Sequence, residues 1–149
     1  SYIASERRER DQMAETRAEA APVQDIAAIA EGIIKKLKRN HRDEIELTKS
    51  QIRKFLAAAN ALTNKVTVYR AVHPNAEELS EDLAKEVKFL KVKLAYQATR
   101  NSAVRDFVDQ ARLWDCLDKI GRDMKRYNDF ARYIEALVAY HKFYGGKEN

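Results

Sequence analysis

Glycine and proline are scarce in this chain, with four and two among 149 residues. So few turn formers, together with few consecutive β-branched residues, exclude a sheet of many short strands and favour long helices. Cysteine is limited to Cys116, which rules out an internal disulfide and fits a reducing compartment. No apolar run is long enough to cross a bilayer, and the first residues lack the apolar core of a signal peptide. The expectation is a soluble, cytoplasmic protein with no membrane partner.

Metal and catalytic signatures are equally thin. The histidines, His41, His73 and His141, lie far apart and never at the i, i+4 spacing of a helical metal pair. Cys116 sits between Trp114 and Leu117, where a free thiol is ordinarily a small buried hydrophobe, and its neighbours Asp115 and Asp118 disfavour a thiolate. No glycine-rich loop is available to cradle a phosphate, because the only glycine pair is Gly145–Gly146. No enzyme, no metal and no cofactor is the resulting expectation.

What the chain does have is charge and helical periodicity. Apolar residues make up 45% and charged residues 34%, with a formal charge of +5, a balance that favours a polyanionic partner without specifying one. Residues 1–20 are balanced and almost without an apolar face, whereas Lys35, Lys36, Lys38, Arg39 and Arg42 succeed one another with no acid between them. A domain reading follows: a charged tail or helix over 1–21, one helical domain over 22–146, and a short tail over 147–149.

Within that domain the periodicity predicts an all-α fold, a compact to elongated bundle of about five helices. A first helix opens at Pro22, carries Ile26, Ile29, Ala30, Ile33, Ile34 and Leu37, and ends in the basic run to Arg42. A second starts at a capping box formed by Thr48 and Gln51, buries Ile52, Phe55, Leu56, Ala59 and Leu62, and exits at Thr63–Lys65. The following VTVY reads as a helix end and loop, since a lone strand there has nothing to pair with.

A third helix, Ala76 to Arg100, carries two apolar stripes: Leu83, Val87, Leu90 and Leu94 on one, Phe89, Val92 and Tyr96 on the other. Such a helix is either central in the bundle or buried against a second protein. A fourth follows the Asn101–Ser102 cap, its face shifting from Val104 and Phe107 to Leu117 and Met124, with Gly121 as a point of interruption. A fifth spans about Lys125 to Tyr144 and stops at glycine.

Cations are interleaved with these stripes. Arg53 and Lys54 point away from Ile52 and Phe55 by helical geometry. Lys85, Lys88, Lys91 and Lys93 alternate with the third helix's apolar positions, and Lys119, Arg122, Lys125 and Arg126 form another group. Charged helix residues are usually just solvated, and Glu81–Lys85 and Lys125–Asp129 have the spacing of i, i+4 pairs. Several unpaired patches on one basic domain nevertheless point towards phosphate contact, which needs no base specificity.

Three stretches, LTKSQIRKFL (47–56), LKVKLAYQATR (90–100) and FARYIEALVAYHKFYGG (130–146), closely resemble the characteristic blocks of the small subunit of the type III-A CRISPR effector, the Csm complex. They occur in the family's order and span most of 47–146. Val92 stands where that family's pattern has Pro, and Thr99 where Gly often precedes the Arg.

The resemblance implies a non-catalytic, all-α subunit present in several copies along an RNA-guided complex. It would line the groove that holds guide RNA and target RNA. Its neighbours would be copies of itself, the backbone subunits that cleave target RNA, and the large polymerase-domain subunit. Contacts with a guide must tolerate any sequence, so Lys and Arg on backbone phosphates suit the task. Arg53, Lys54, Lys93 and Arg100 carry over as RNA-binding candidates. Lys49 is added on physical grounds, because a cation in the first turn is badly placed for the helix dipole. The Lys35–Arg42 run ranks second by charge alone. Ile134, Leu137, Val138 and Tyr140 belong to the core or to a copy-to-copy contact. The contrasting reading is a helical adaptor that binds only protein partners, its cations merely solubilising.

Overall fold

The computed structural model describes residues 23–145, together with Ser5. The expected tails, the Pro22 helix start and Gly146 lie outside these residues. Six helices follow in order: α1 (Val23–Lys36), α2 (Lys49–Val72), α3 (Glu81–Arg100), α4 (Ser102–Gln110), α5 (Leu113–Ile120) and α6 (Met124–Tyr144). No strand forms among the described residues; two isolated antiparallel bridges, Arg39–Ile45 and Glu78–Asp123, stand in the connectors. Among the described residues the all-α expectation holds, with six helices where the periodicity predicted about five.

The extra helix comes from a break at Arg112. This residue adopts a left-handed backbone, φ 53° and ψ 42°, which side-chain-bearing residues enter at a cost. The reward is on both sides of it. Ala111 and Leu113 are buried, and the carbonyl of Ala111 accepts a 2.9 Å hydrogen bond from the Tyr133 hydroxyl of α6. The shifted apolar face seen in the sequence is thus two helices with different directions, rather than one helix turning its stripe.

α2 also departs from expectation. It continues through Thr63–Lys65 and the VTVY stretch to Val72, so the predicted exit and loop are incorrect. Val66 is buried on the same stripe as Leu62, and the Thr63 hydroxyl meets the Tyr127 hydroxyl of α6 at 2.8 Å. Burial against α6 outweighs the modest helix reluctance of β-branched residues. At the other boundaries, α1 stops at Lys36, inside the basic run, with Lys35 and Lys36 in its last turn and the rest in the connector. α3 starts at Glu81 behind a Ser80 cap, because residues 77–79 pair with the α5–α6 connector. There Leu79 N donates to Arg122 O at 2.7 Å and Met124 N to Glu77 O at 3.1 Å.

α6 packs against α1, α2 and α5, while α3 packs on the other flank of α2 and against α4 and α5. One continuous core runs from Ala30 to Leu137. The α1–α2 connector contributes to it with Leu37, Ile45 and Leu47, all buried. This connector is a tight loop in which Glu46 N donates to Lys38 O and the Asn40 side chain accepts from Arg42 N and Glu44 N. Its last carbonyl, Leu47 O, accepts a 2.8 Å hydrogen bond from His141 Nε2 of α6. Of the expected α1 stripe, Ile29 is 57% exposed and lies off the core.

Two outcomes test these packing statements. Burial pushes the His141 imidazole below its ordinary value, with the nearby Lys49 charge acting the same way against the pull of the Leu47 carbonyl. An unfolded imidazole titrates near about 6.5, so below that pH the unfolded chain takes up the proton first and stability declines as pH falls towards the lowered folded value. Urea midpoints at pH 7.5 and 5.5 should therefore differ, with the lower one in acid, and His141→Gln should flatten the difference. At the α4–α5 break, Arg112→Val should be less stable than Arg112→Gly by about 1–2 kcal/mol, since a branched side chain is poorly tolerated at positive φ.

Candidate nucleic-acid interface

The N-terminus of α2 is built as its sequence predicts. The Gln51 amide N–H donates to Thr48 Oγ1 at 3.0 Å, and Thr48 N–H donates back to Gln51 Oε1 at 2.9 Å. One turn on, Ile52 and Phe55 are buried, and the Phe55 ring meets Phe107 of α4 edge-on at 6.4 Å. With the cap fixing where the helix begins and these two fixing its rotation, Arg53 and Lys54 emerge into solvent. Neither has an ion-pair partner among the described residues. Lys49 differs from them: it is half-buried and close enough to His141 for its charge to lower that group's pKa.

α3 presents the remaining two candidates. Its inner stripe, Leu83, Val87, Leu90, Leu94 and Ala98, is buried as predicted. The second stripe is not. Phe89, Val92 and Tyr96 are 58%, 57% and 60% exposed, so α3 is not a central helix of this bundle, and that face is open. Lys93 Nζ rests 5.5 Å from the Phe89 ring centroid, and Arg100 Cζ 4.8 Å from that of Tyr96. Cation and ring spaced four residues apart on a helix reach each other. That spacing is legible in the sequence, where the rings read as a second packing stripe.

α2 and α3 run antiparallel, joined by a short connector and tied by Lys65 Nζ to Glu86 Oε1 at 2.6 Å. Equal steps back along α2 and forward along α3 bring Arg53 level with Ala98. The Arg53–Lys54 pair and the Tyr96–Arg100 turn therefore occupy the same end of the bundle.

Several of the other cations are committed to the fold. In the Lys35–Arg42 run, Lys35 pairs with Glu31 at 3.5 Å and lies 5.4 Å from the Tyr144 ring. Lys38 reaches Glu46 at 3.7 Å, and Arg39 donates to Asp43 O at 2.9 Å. Arg122 holds Leu79 O through two donors, and Arg126 holds Lys119 O at 2.9 Å. Lys91 pairs with Asp118 at 2.6 Å. Conversely, the expected Glu81–Lys85 and Lys125–Asp129 pairs do not form, which leaves Lys85 exposed on the outer side of α3.

No group of three or more His, Cys, Asp or Glu side chains able to hold a metal occurs among the described residues. Burial, with Asp115 adding to it, pushes the half-buried Cys116 thiol above its ordinary value. That direction is opposite to the one a nucleophilic thiolate requires. No described helix is long and apolar enough to cross a membrane.

The family model described as Csm2 Type III-A matches residues 20–147, a span that takes in every helix described above. The chain belongs to the Csm2 family. It is thereby a small subunit of a type III-A CRISPR complex, as its three sequence blocks imply. Among curated relatives it is similar to the CRISPR system Cms protein Csm2 of Streptococcus thermophilus, 37% identical over 119 residues that cover 80% of this chain and 90% of that protein. It is also similar to the same-named proteins of Enterococcus italicus, 37% identical over 66% of this chain and 68% of the relative, and of Mycobacterium tuberculosis, 32% identical over 82% and 90%.

Both departures from the Csm2 pattern are absorbed without breaking α3. Val92 keeps the backbone N–H that Pro would remove, and the helix runs unbroken through it. Thr99, at the Gly position, donates its hydroxyl to Tyr96 O at 2.8 Å, which closes the last turn beneath Arg100.

The cap and the cations separate by experiment. Thr48→Ala removes the N-cap oxygen and should cost about 1 kcal/mol in urea denaturation. Arg53→Ala combined with Lys54→Ala should leave the midpoint within about 0.5 kcal/mol of the parent, because neither side chain is buried or paired.

Proposed function

We propose that this Csm2-family chain is a non-catalytic subunit that lines the groove of guide RNA and target RNA and touches RNA backbone through Lys and Arg. The observation that carries this reading is the outward, unpartnered placement of Arg53 and Lys54 immediately beyond a cap that has no need of them. Lys93 and Arg100 add to it from α3, Arg100 at the same end of the bundle. Phosphate contact requires cations that are accessible and not already neutralised, and these four satisfy both conditions. Lys49 contributes from the rim, where its charge also acts on His141.

Such contacts read no sequence, which suits a groove that must accept any guide. The packing partners in this reading are further copies of the chain, the backbone subunits and the large polymerase-domain subunit of the complex. Residues 22–146 form the helical domain that does this. Val138 and Tyr140 pack against the core while remaining half-buried, so they support the core assignment and leave only their rims for a copy-to-copy contact.

Each phosphate neutralised releases counterions, so affinity falls with salt in proportion to the number of contacts. Filter binding of unrelated single-stranded RNAs at 50 and 200 mM salt should show salt-sensitive retention by the parent. Arg53→Ala with Lys54→Ala should bind more weakly and with a shallower salt slope, by roughly one contact for each cation removed. Unchanged affinity and slope would remove both residues from the interface, and retention that ignores salt in the parent would favour the protein-only adaptor.

A further inference from the structure

The outer face of α3 is an unusual surface for a helix of a small bundle. Three large apolar side chains, Phe89, Val92 and Tyr96, are each more than half exposed along one line. They lie opposite the buried stripe of Leu83, Val87, Leu90 and Leu94. Contiguous exposed apolar residues mark a contact surface more often than a solvated one. The charges on this face limit what the contact is made with. Lys85, Lys93 and Arg100 share the stripe, and between Lys85 and Arg100 the sole acid is Glu86, which is already held by Lys65 at 2.6 Å. An apolar protein surface docking here would have to strip water from three cations with no acid in reach, a poor exchange. An occupant that is both polyanionic and flat-ringed answers every feature of the face at once.

We propose that the outer face of α3 is a stacking platform for unpaired RNA bases, with Phe89 and Tyr96 receiving base rings and Lys85, Lys93 and Arg100 holding the phosphates beside them. The proposal rests on the RNA-backbone reading above and goes beyond it by adding a base-dependent, sequence-tolerant component. Stacking on aromatic rings accepts any base because every base has a π-face. Phe89 and Tyr96 are seven residues apart, about 10 Å along the helix axis, so they offer two separate platforms. The Arg100 guanidinium already lies 4.8 Å over Tyr96, and a planar guanidinium extends the stacking surface of the ring it covers.

The test compares a single-stranded RNA with an abasic ribose-phosphate oligomer of equal length, binding to the full chain. The parent should prefer the base-bearing strand by about tenfold or more. Phe89→Ala with Tyr96→Ala should lose that preference and bind both strands as the parent binds the abasic one, with its salt slope unchanged. Phe89→Tyr with Tyr96→Phe, which keeps both rings, should restore it. Equal binding of the two strands by the parent overturns the platform and leaves the phosphate contacts standing, and so does a double alanine variant that retains the preference. A double alanine variant that loses only self-association or another protein contact assigns the face to protein and overturns it too. Binding of neither strand by the parent defeats the RNA reading itself.

Discussion

The antiparallel pairing of α2 with α6 sets the geometry on which the other elements depend. It is fixed at both ends by one side-chain hydrogen bond: Thr63 to Tyr127 at 2.8 Å, and His141 to Leu47 O at 2.8 Å. Net of the water they replace, these bonds contribute only about 1 kcal/mol each, whereas every buried Ile, Leu or Phe between them contributes roughly 1.5–3 kcal/mol. Packing supplies the stability, and the two polar ties choose the register. A slip of one turn would bury Tyr127 and His141 with unsatisfied polar atoms, which costs more than the bond itself is worth. Because Leu47 is held at this spot, the Thr48 cap sits at a defined place, and Arg53 and Lys54 leave the bundle in a defined direction.

The surface charges divide according to whether the fold already uses them. Arg122 holds the connector carbonyl of Leu79 and Arg126 the carbonyl of Lys119 in the last turn of α5, Lys38 and Arg39 stiffen the α1–α2 loop, and Lys65 and Lys91 bridge neighbouring helices. Exposed pairs of this type are worth little individually, but they remove cations from the pool available to an anion. What remains includes the start of α2 and the outer side of α3, alongside other exposed cations such as Lys36, Arg70, Arg105, Lys125 and Arg132. A net charge of +5 is thus a weak guide to the interface. The distribution of partners among the cations is the stronger one.

Much of the fold was legible because the chain's local signals agree with its core. The Thr48–Gln51 box, the Asn101 cap of α4 and the glycine stop of α6 appear where the residue types demand them, with Gly145 at φ 83°. The buried stripes of α2, α3 and α6 match their apolar periodicity. The errors fall where tertiary contacts overrule local preference. Thr63–Lys65 looked like an exit because polar residues interrupt the stripe, yet Thr63 points at Tyr127 and Val66 resumes the burial. Residues 77–79 looked helical, yet their backbone is claimed by the α5–α6 connector. The break at Arg112 carries no glycine or proline to announce it.

The sequence by itself determined the fold class, the buried faces and the outward direction of Arg53 and Lys54, since all three follow from period, capping and the 100° turn between successive helix residues. It also contained the family blocks. Only the tertiary structure decided which cations are already neutralised and that the second stripe of α3 is exposed rather than central. Neutralisation depends on acids distant in sequence, as Lys91 with Asp118 and Lys65 with Glu86 illustrate. Exposure depends on how many helices are present to cover a face, and in this bundle α2, α4 and α5 cover only the inner side of α3.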